Sequence, residues 1–158
     1  MCNNMRMKTD QRHPTRHFVA WARLLRTHKV LIEKVQKSLS DAGLPPLEWY
    51  DLMLELDLAE DKQLRLFDLG ERIVLSRSNL TRLCDRLEKN GLISRQPCAE
   101  DRRGLYATLT KKGSALRRQM WPVYRQAVEE HFAAHVTQEE ARVLAGLLLK
   151  ARGPEIAG

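Results

Sequence analysis

Between residues 15 and 41 the chain carries Phe18, Trp21, Leu24, Leu25, Leu31, Ile32, Val35 and Leu39 at steps of three and four, with His28 on the same stripe. That period lays them along one face of a long helix. Asp41-Ala42-Gly43 and then Pro45-Pro46 end it, because glycine accepts a left-handed cap and proline cannot continue the hydrogen-bond ladder. Pro46 suits the first turn of a second helix. Its apolar positions, Trp49, Tyr50, Met53, Leu54 and Leu56, run to about Leu58. Residues 59–63 are polar and read as a separator.

The pattern then tightens. Phe67, Leu69, Gly70 and Ile73 predict a short helix over residues 66–73, with Gly70 leaving room for another helix to approach. After a turn, Ser76 is a suitable N-cap for a helix over residues 77–89, and Asn90-Gly91 stops it. Leu80, Leu83, Cys84 and Leu87 form its buried stripe, while Ser78, Thr81, Arg82, Asp85 and Lys89 point elsewhere. Two short β-like runs, 92–96 and 105–109, flank the charged stretch Cys98-Ala99-Glu100-Asp101-Arg102-Arg103-Gly104. A helical pattern follows over 111–135, in which Pro122 is expected to kink or divide the helix. Thr137 with Glu140 forms a capping box that opens a last helix through Leu144, Leu147 and Leu148 to about Arg152.

Helix, turn, helix, strand, charged loop, strand is the order of a winged helix-turn-helix, so the fold class is mainly α with a small β wing. In that arrangement the second helix enters the major groove of DNA, and the strand-loop-strand reaches the backbone or the minor groove. Charge supports this. The 158 residues carry a net +7, yet residues 62–118 alone hold 14 Lys/Arg against 6 Asp/Glu, or +8, and the remainder is −1. A surplus confined to one segment is the footprint of a phosphate-binding surface. Arg77, Ser78, Asn79, Thr81 and Arg82 offer donors to phosphates and base edges, with Arg86 at the margin of the buried stripe. Arg82 can make a bidentate contact to guanine or to a phosphate; the side chain alone leaves both open.

Residues 66–113 resemble the MarR (multiple antibiotic resistance regulator) family of transcription factors. The resemblance rests on Leu69-Gly70, the run from Ser76 to Leu87, Gly91, Asp101-Arg102-Arg103, and Leu109-Thr110 with Gly113. Where this chain has Gly70, the family more often has alanine. The resemblance implies an obligate homodimer that binds a pseudo-palindromic double-stranded operator. It implies that Arg103 enters the minor groove, that Asp101 positions it or a neighbouring basic group, and that Arg102 contacts the backbone. It also implies a pocket for a small aromatic or phenolic acid, for which His17, Trp21, Trp49 and Tyr50 are the candidates, as rings able to stack and polar groups able to bond a carboxylate. The domain layout expected is a flexible start over 1–14, dimerisation helices over 15–45 and 111–153, and a DNA-binding lobe over 46–110. The first and last helices have broad apolar faces that so small a lobe does not cover.

Other chemistry is sparse. Cys2, Cys84 and Cys98 are odd in number and scattered, which points to a reducing cytoplasm rather than a disulfide framework. Cys84 falls on a buried stripe, whereas Cys98 sits near Arg95, Arg102 and Arg103, where a thiolate is favoured. His131 and His135 are four apart on one helical face, as metal ligands can be; no cysteine or acid plainly completes the site, with Glu129, Glu130 or a partner chain as the candidates to do so. Thiol- or metal-responsive regulation on the same fold, and a winged-helix module for an acidic protein partner, therefore stand as alternatives to effector-released repression. No apolar run is long enough for a membrane span, and no catalytic motif or cofactor loop is present. An enzyme is not expected.

Overall fold

The computed structural model describes residues 15–73, 75–97 and 104–153. Helix α1 spans Arg16–Asp41 and α2 Leu47–Leu58; a 3₁₀ turn over Glu60–Lys62 leads to strand β1, Gln63–Arg65. Helices α3, Leu66–Arg72, and α4, Arg77–Lys89, follow, then strands β2, Ile93–Pro97, and β3, Leu105–Leu109. Helix α5 covers Lys111–His131, a 3₁₀ turn Ala133–His135, and α6 Gln138–Arg152. The strands form one antiparallel sheet in the order β1-β3-β2.

The mainly helical winged fold is as expected, and three details differ. First, β1 begins at Gln63, the last residue of the stretch that reads as a polar separator, and runs on through Leu64 and Arg65, where the pattern predicts no element. It pairs Gln63 with Thr108 and Arg65 with Tyr106. The chain enters it through two non-glycine residues in left-handed conformation, Asp61 at φ 52° and Lys62 at φ 56°. Such a turn costs energy. Side-chain ties hold it, since Lys62 Nζ lies 2.8 Å from Asp57 Oδ1 and 3.3 Å from Ser114 Oγ, and Arg117 Nη2 lies 2.6 Å from Asp57 Oδ2. The Lys62 hydrogen bond, with Arg117 beside it, holds the Asp57 carboxyl below the usual range.

Second, Pro122 does not divide α5, which runs unbroken through it. Third, the helix ends at His131 rather than 135. Phe132, at φ −126° and ψ −60°, breaks the ladder before the 3₁₀ turn. His131 and His135 thus do not share a helical face.

One apolar cluster joins Val35 and Leu39 of α1, Leu52, Met53 and Leu56 of α2, Leu69 of α3, Leu80, Leu83 and Leu87 of α4, and Met120 and Ala127 of α5. Gln36 reaches across from α1 to accept the Leu47 N–H at 2.9 Å, supplying the cap that Pro46 has no side chain to provide. At the other end Thr110 caps α5 by accepting the Gly113 N–H at 3.0 Å; its hydroxyl donates to the Gly91 carbonyl at 2.8 Å, and its backbone N–H donates to the Leu92 carbonyl at 3.0 Å. A Cβ on Gly113 would lie 2.2 Å from that same carbonyl oxygen. Only glycine lets α5 start this close to the entry of β2.

Much apolar surface stays outside the core. On α1, Phe18 and Trp21 are more than half exposed (66% and 59%), and α6 buries no residue, with Leu147 58% exposed. Large apolar side chains left open on two helices in this number mark contact surfaces.

Candidate nucleic-acid interface

Helix α4 forms because Ser76 caps it, the Ser76 Oγ accepting the Asn79 N–H at 3.3 Å, and because Leu80, Leu83, Cys84 and Leu87 dock on the core. Helix α3 packs closely against it at Gly70, where a Cβ would lie 3.3 Å from Leu80 Cδ2. The docked stripe leaves Arg77, Ser78, Asn79, Thr81 and Arg82 together on the exposed side. The Arg77 guanidinium sits 5.4 Å over the ring of Phe67, which steadies it at the α3–α4 edge. Asn79 and Arg82 line one open surface with Asp85 and Arg86. Arg86, named from sequence with these donors, is turned toward α2, where its Nη2 lies 2.7 Å from Glu48 Oε1.

Strands β2 and β3 leave this surface as the stem of a wing, paired from Ile93–Leu109 to Pro97–Leu105. The stem is tied to α4 by a group that sequence reasoning missed. Arg95 Nη2 lies 2.6 Å from Glu88 Oε2 and 2.7 Å from Asp85 Oδ1. The Arg95 Nε also donates to Glu88 Oε2, and its backbone N–H donates to Glu88 Oε1, both at 2.9 Å. These bonds hold Glu88 below the usual carboxylate range and raise Arg95. The available signal was a pair of opposite charges on either side of the Asn90-Gly91 stop. Asp101, Arg102, Arg103 and Cys98 lie outside the described residues, as does Cys2.

Cys84 is fully buried, and burial pushes its thiol up to about 11, so it packs as an apolar group rather than a reactive thiolate.

Two clefts open between the long helices and the α2–α3 layer. The larger, about 530 Å³, is lined by His28, Ile32 and Gln36 of α1, Leu47, Asp51, Leu54 and Glu55 of α2, and Arg72 and Ile73. The smaller, about 240 Å³, shares Ile32, Leu47 and Asp51 and is closed by Tyr124, His131 and Phe132. Asp51 stands in the wall common to both. Loss of hydration among these apolar neighbours, with Glu55 nearby, pushes its carboxyl up to about 6. The residue is nonetheless exposed to solvent. Screening there keeps the energetic consequence small.

None of the four sequence candidates for an effector lines either cleft. Tyr50 is core, its ring stacked on Tyr124 with centroids 4.6 Å apart. Trp49 is half-buried against the same core. His17 and Trp21 are exposed near the start of α1. Among the described residues no three His, Cys, Asp or Glu side chains gather as a metal site. No described helix is long and apolar enough to cross a membrane.

A model of the MarR family matches residues 54–105, from the second half of α2 to the first residue of β3. The chain is 27% identical over 149 residues to an uncharacterised helix-turn-helix transcriptional regulator, YkoM, of Bacillus subtilis, covering 94% of each chain. Over 91 residues it is 36% identical to the homoprotocatechuate degradative operon repressor of Escherichia coli, covering 55% of this chain and 61% of that protein. The crystal structure of Sco3205, a MarR family transcriptional regulator of Streptomyces coelicolor, in complex with DNA, superposes with a TM-score of 0.81. Its identity is 27%, with 92% of this chain and 94% of that chain covered. These relatives are regulators of transcription, not enzymes.

Proposed function

The chain is a MarR-type winged helix-turn-helix regulator of transcription, and from that premise we propose that it is a homodimeric repressor released from its operator by a small aromatic effector. The observation that carries the DNA-binding part is the exposed face of α4. Arg77, Ser78, Asn79, Thr81 and Arg82 stand together there beside a wing stem fixed to the same helix. A helix so furnished reads base edges and phosphates in the major groove, while the wing arginines, Arg103 first among them, probe the minor groove. Asp101 and Arg102 act with Arg103 as positioning group and backbone contact.

Dimerisation is supported by the apolar surface that α1 and α6 leave uncovered. A 15-residue helix without a single buried residue is marginal by itself. A second copy laid along both helices covers that surface and sets two α4 helices against successive major grooves, which calls for a pseudo-palindromic operator.

For the effector, the paired clefts around Asp51 are the site. They lie where the long helices meet the lobe that carries α4, so a ligand wedged there changes the spacing of the two recognition helices. Their walls combine aliphatic residues with a few polar groups, as ligand pockets do. The similarity to a repressor named for the degradation of homoprotocatechuate, an aromatic acid, supports both the repressor reading and the effector class.

Titration of a labelled duplex from the chain's own promoter region tests the proposal. Affinity is expected to fall steeply between low and moderate salt, and Arg82→Ala to weaken binding at least about tenfold with the fold intact. A phenolic acid that releases the duplex and quenches tryptophan fluorescence identifies the effector class. A well-folded dimer that ignores the duplex at low salt would overturn the DNA-binding reading, and binding unmoved by a broad phenolic panel would overturn the effector reading.

A further inference from the structure

Asp85 stands on the side of α4 meant for DNA. It lies one turn from Thr81 and Arg82 and shares an open surface with Asn79 and Arg82. A carboxylate there repels phosphate, so a plain electrostatic reading makes it a defect. The structure supplies a reason for it. Arg95, on β2, is held between Asp85 and Glu88 at 2.7 and 2.6 Å, with its own backbone N–H also on Glu88. Both the main chain and the side chain of one wing residue are thereby gripped by the recognition helix.

An exposed ion pair contributes little to stability, and the side chains of Asp85 and Glu88 are partly open to solvent. This one differs in geometry. The Arg95 side chain is only 20% exposed, its hydrogen bonds to Glu88 use two side-chain nitrogens and the backbone, and two carboxylates share one guanidinium. Such a fork defines orientation more than it adds free energy. Its place matters too. Arg95 pairs with Ala107 on β3, and only Gln96 and Pro97 separate it from the end of the paired stem. A small rotation of the strand at this point is magnified at the wing tip.

We propose that Arg95 is a positioning residue. It locks the wing to the recognition helix so that major-groove and minor-groove contacts are made in one register. In the same pairing it cancels the carboxylate of Asp85 on the DNA-facing surface. Arg95 itself touches no nucleotide. The proposal rests on the DNA-binding reading above.

The test is a double-mutant cycle between Arg95→Ala and Arg103→Ala, read as dissociation constants for a labelled promoter duplex at fixed salt. Arg103→Ala is expected to weaken the otherwise native protein about tenfold and to cost almost nothing in the Arg95→Ala background, because an unlocked wing no longer delivers Arg103. Undiminished cost of Arg103→Ala in that background overturns the positioning role. A native protein that binds the duplex but is indifferent to Arg103→Ala instead defeats the wing assignment, and the proposal with it. Adding Asp85→Asn separates charge from position. If Arg95→Ala/Asp85→Asn recovers full affinity and full sensitivity to Arg103→Ala, only charge cancellation was at work and the positioning role fails. Should Arg95→Ala lower the melting temperature too far for binding assays, Glu88→Gln, which keeps an oxygen for the Arg95 N–H, carries the same cycle and is expected to show the same non-additivity in weaker form.

Discussion

Replacing Gly113 by alanine is expected to destabilise the protein, although helix propensity alone predicts the opposite. Within α5 the exchange favours the helix by roughly 0.5–1 kcal/mol. The surroundings outweigh this. The added Cβ would sit 2.2 Å from the Leu92 carbonyl oxygen, 3.1 Å from its carbon and 2.6 Å from Leu109 Cδ1. To reach ordinary contact, the start of α5 must move away from Leu92 by about an ångström, and backbone cannot swing aside as a long side chain can. Overpacking of this kind typically costs about 1–3 kcal/mol. The same movement stretches the bond from the Thr110 N–H to the Leu92 carbonyl, 3.0 Å, worth about 1 kcal/mol; the Thr110 hydroxyl keeps its nearer acceptor, the Gly91 carbonyl at 2.8 Å. The net expectation is a loss of about 1–3 kcal/mol. For a chain of this length that lowers the melting temperature by roughly 2–12 °C. Urea unfolding followed by circular dichroism measures it, at one fixed protein concentration because assembly shifts apparent stability. A Gly113→Ala protein as stable as the parent, or more stable, would refute the argument that close approach dictates glycine here.

Cys84, fully buried with its thiol raised to about 11, should react with a thiol reagent near neutral pH only at the rate of unfolding; rapid modification of the folded protein contradicts its burial. Asp51 has a folded pKa of about 6 against an ordinary value of 3.8, so its contribution favours the folded state below about pH 4 and is lost as pH rises through 6. Asp51→Asn should therefore raise stability slightly at pH 7 and flatten the pH profile between 4 and 6, and an unchanged profile argues against the shift. Leu147→Glu puts a charge on the uncovered face of α6 and should shift the protein toward monomer in sedimentation while leaving the lobe folded; an unaltered sedimentation coefficient removes α6 from the interface.

How much was legible beforehand depended on whether a feature is local. The bounds of α4 and β3, the capping box at Thr137 and the docked stripe of Leu80, Leu83, Cys84 and Leu87 come from periods and caps within a few residues, and the structure has them where the pattern puts them. The donor face of α4 followed at once, since fixing the buried side of a helix fixes the exposed one. Where the aromatic side chains of α1 and α2 pack is not local in this sense. An aromatic at helical spacing does not say which wall it faces, so Tyr50 is core, and the larger cleft is lined from three separate helices by His28, Asp51, Arg72 and others.

What the sequence determined by itself was thus the order of the helices and of the two wing strands, the recognition helix with its polar side, and the localised positive charge. The reason is that hydrophobic period, N-caps and Gly/Pro stops act within one or two turns of chain. Tertiary structure alone decided that residues 63–65 become a strand, because so short a run, two polar residues around Leu64, acquires a ladder only when β3 is beside it and Asp57, Lys62, Ser114 and Arg117 hold the left-handed turn before it. It alone decided that α5 passes through Pro122 and then stops at His131. It alone brought Arg95 between Asp85 and Glu88, turning a misplaced acid into an anchor. Each of those outcomes depends on atoms distant in sequence meeting at hydrogen-bond range, which no local pattern encodes.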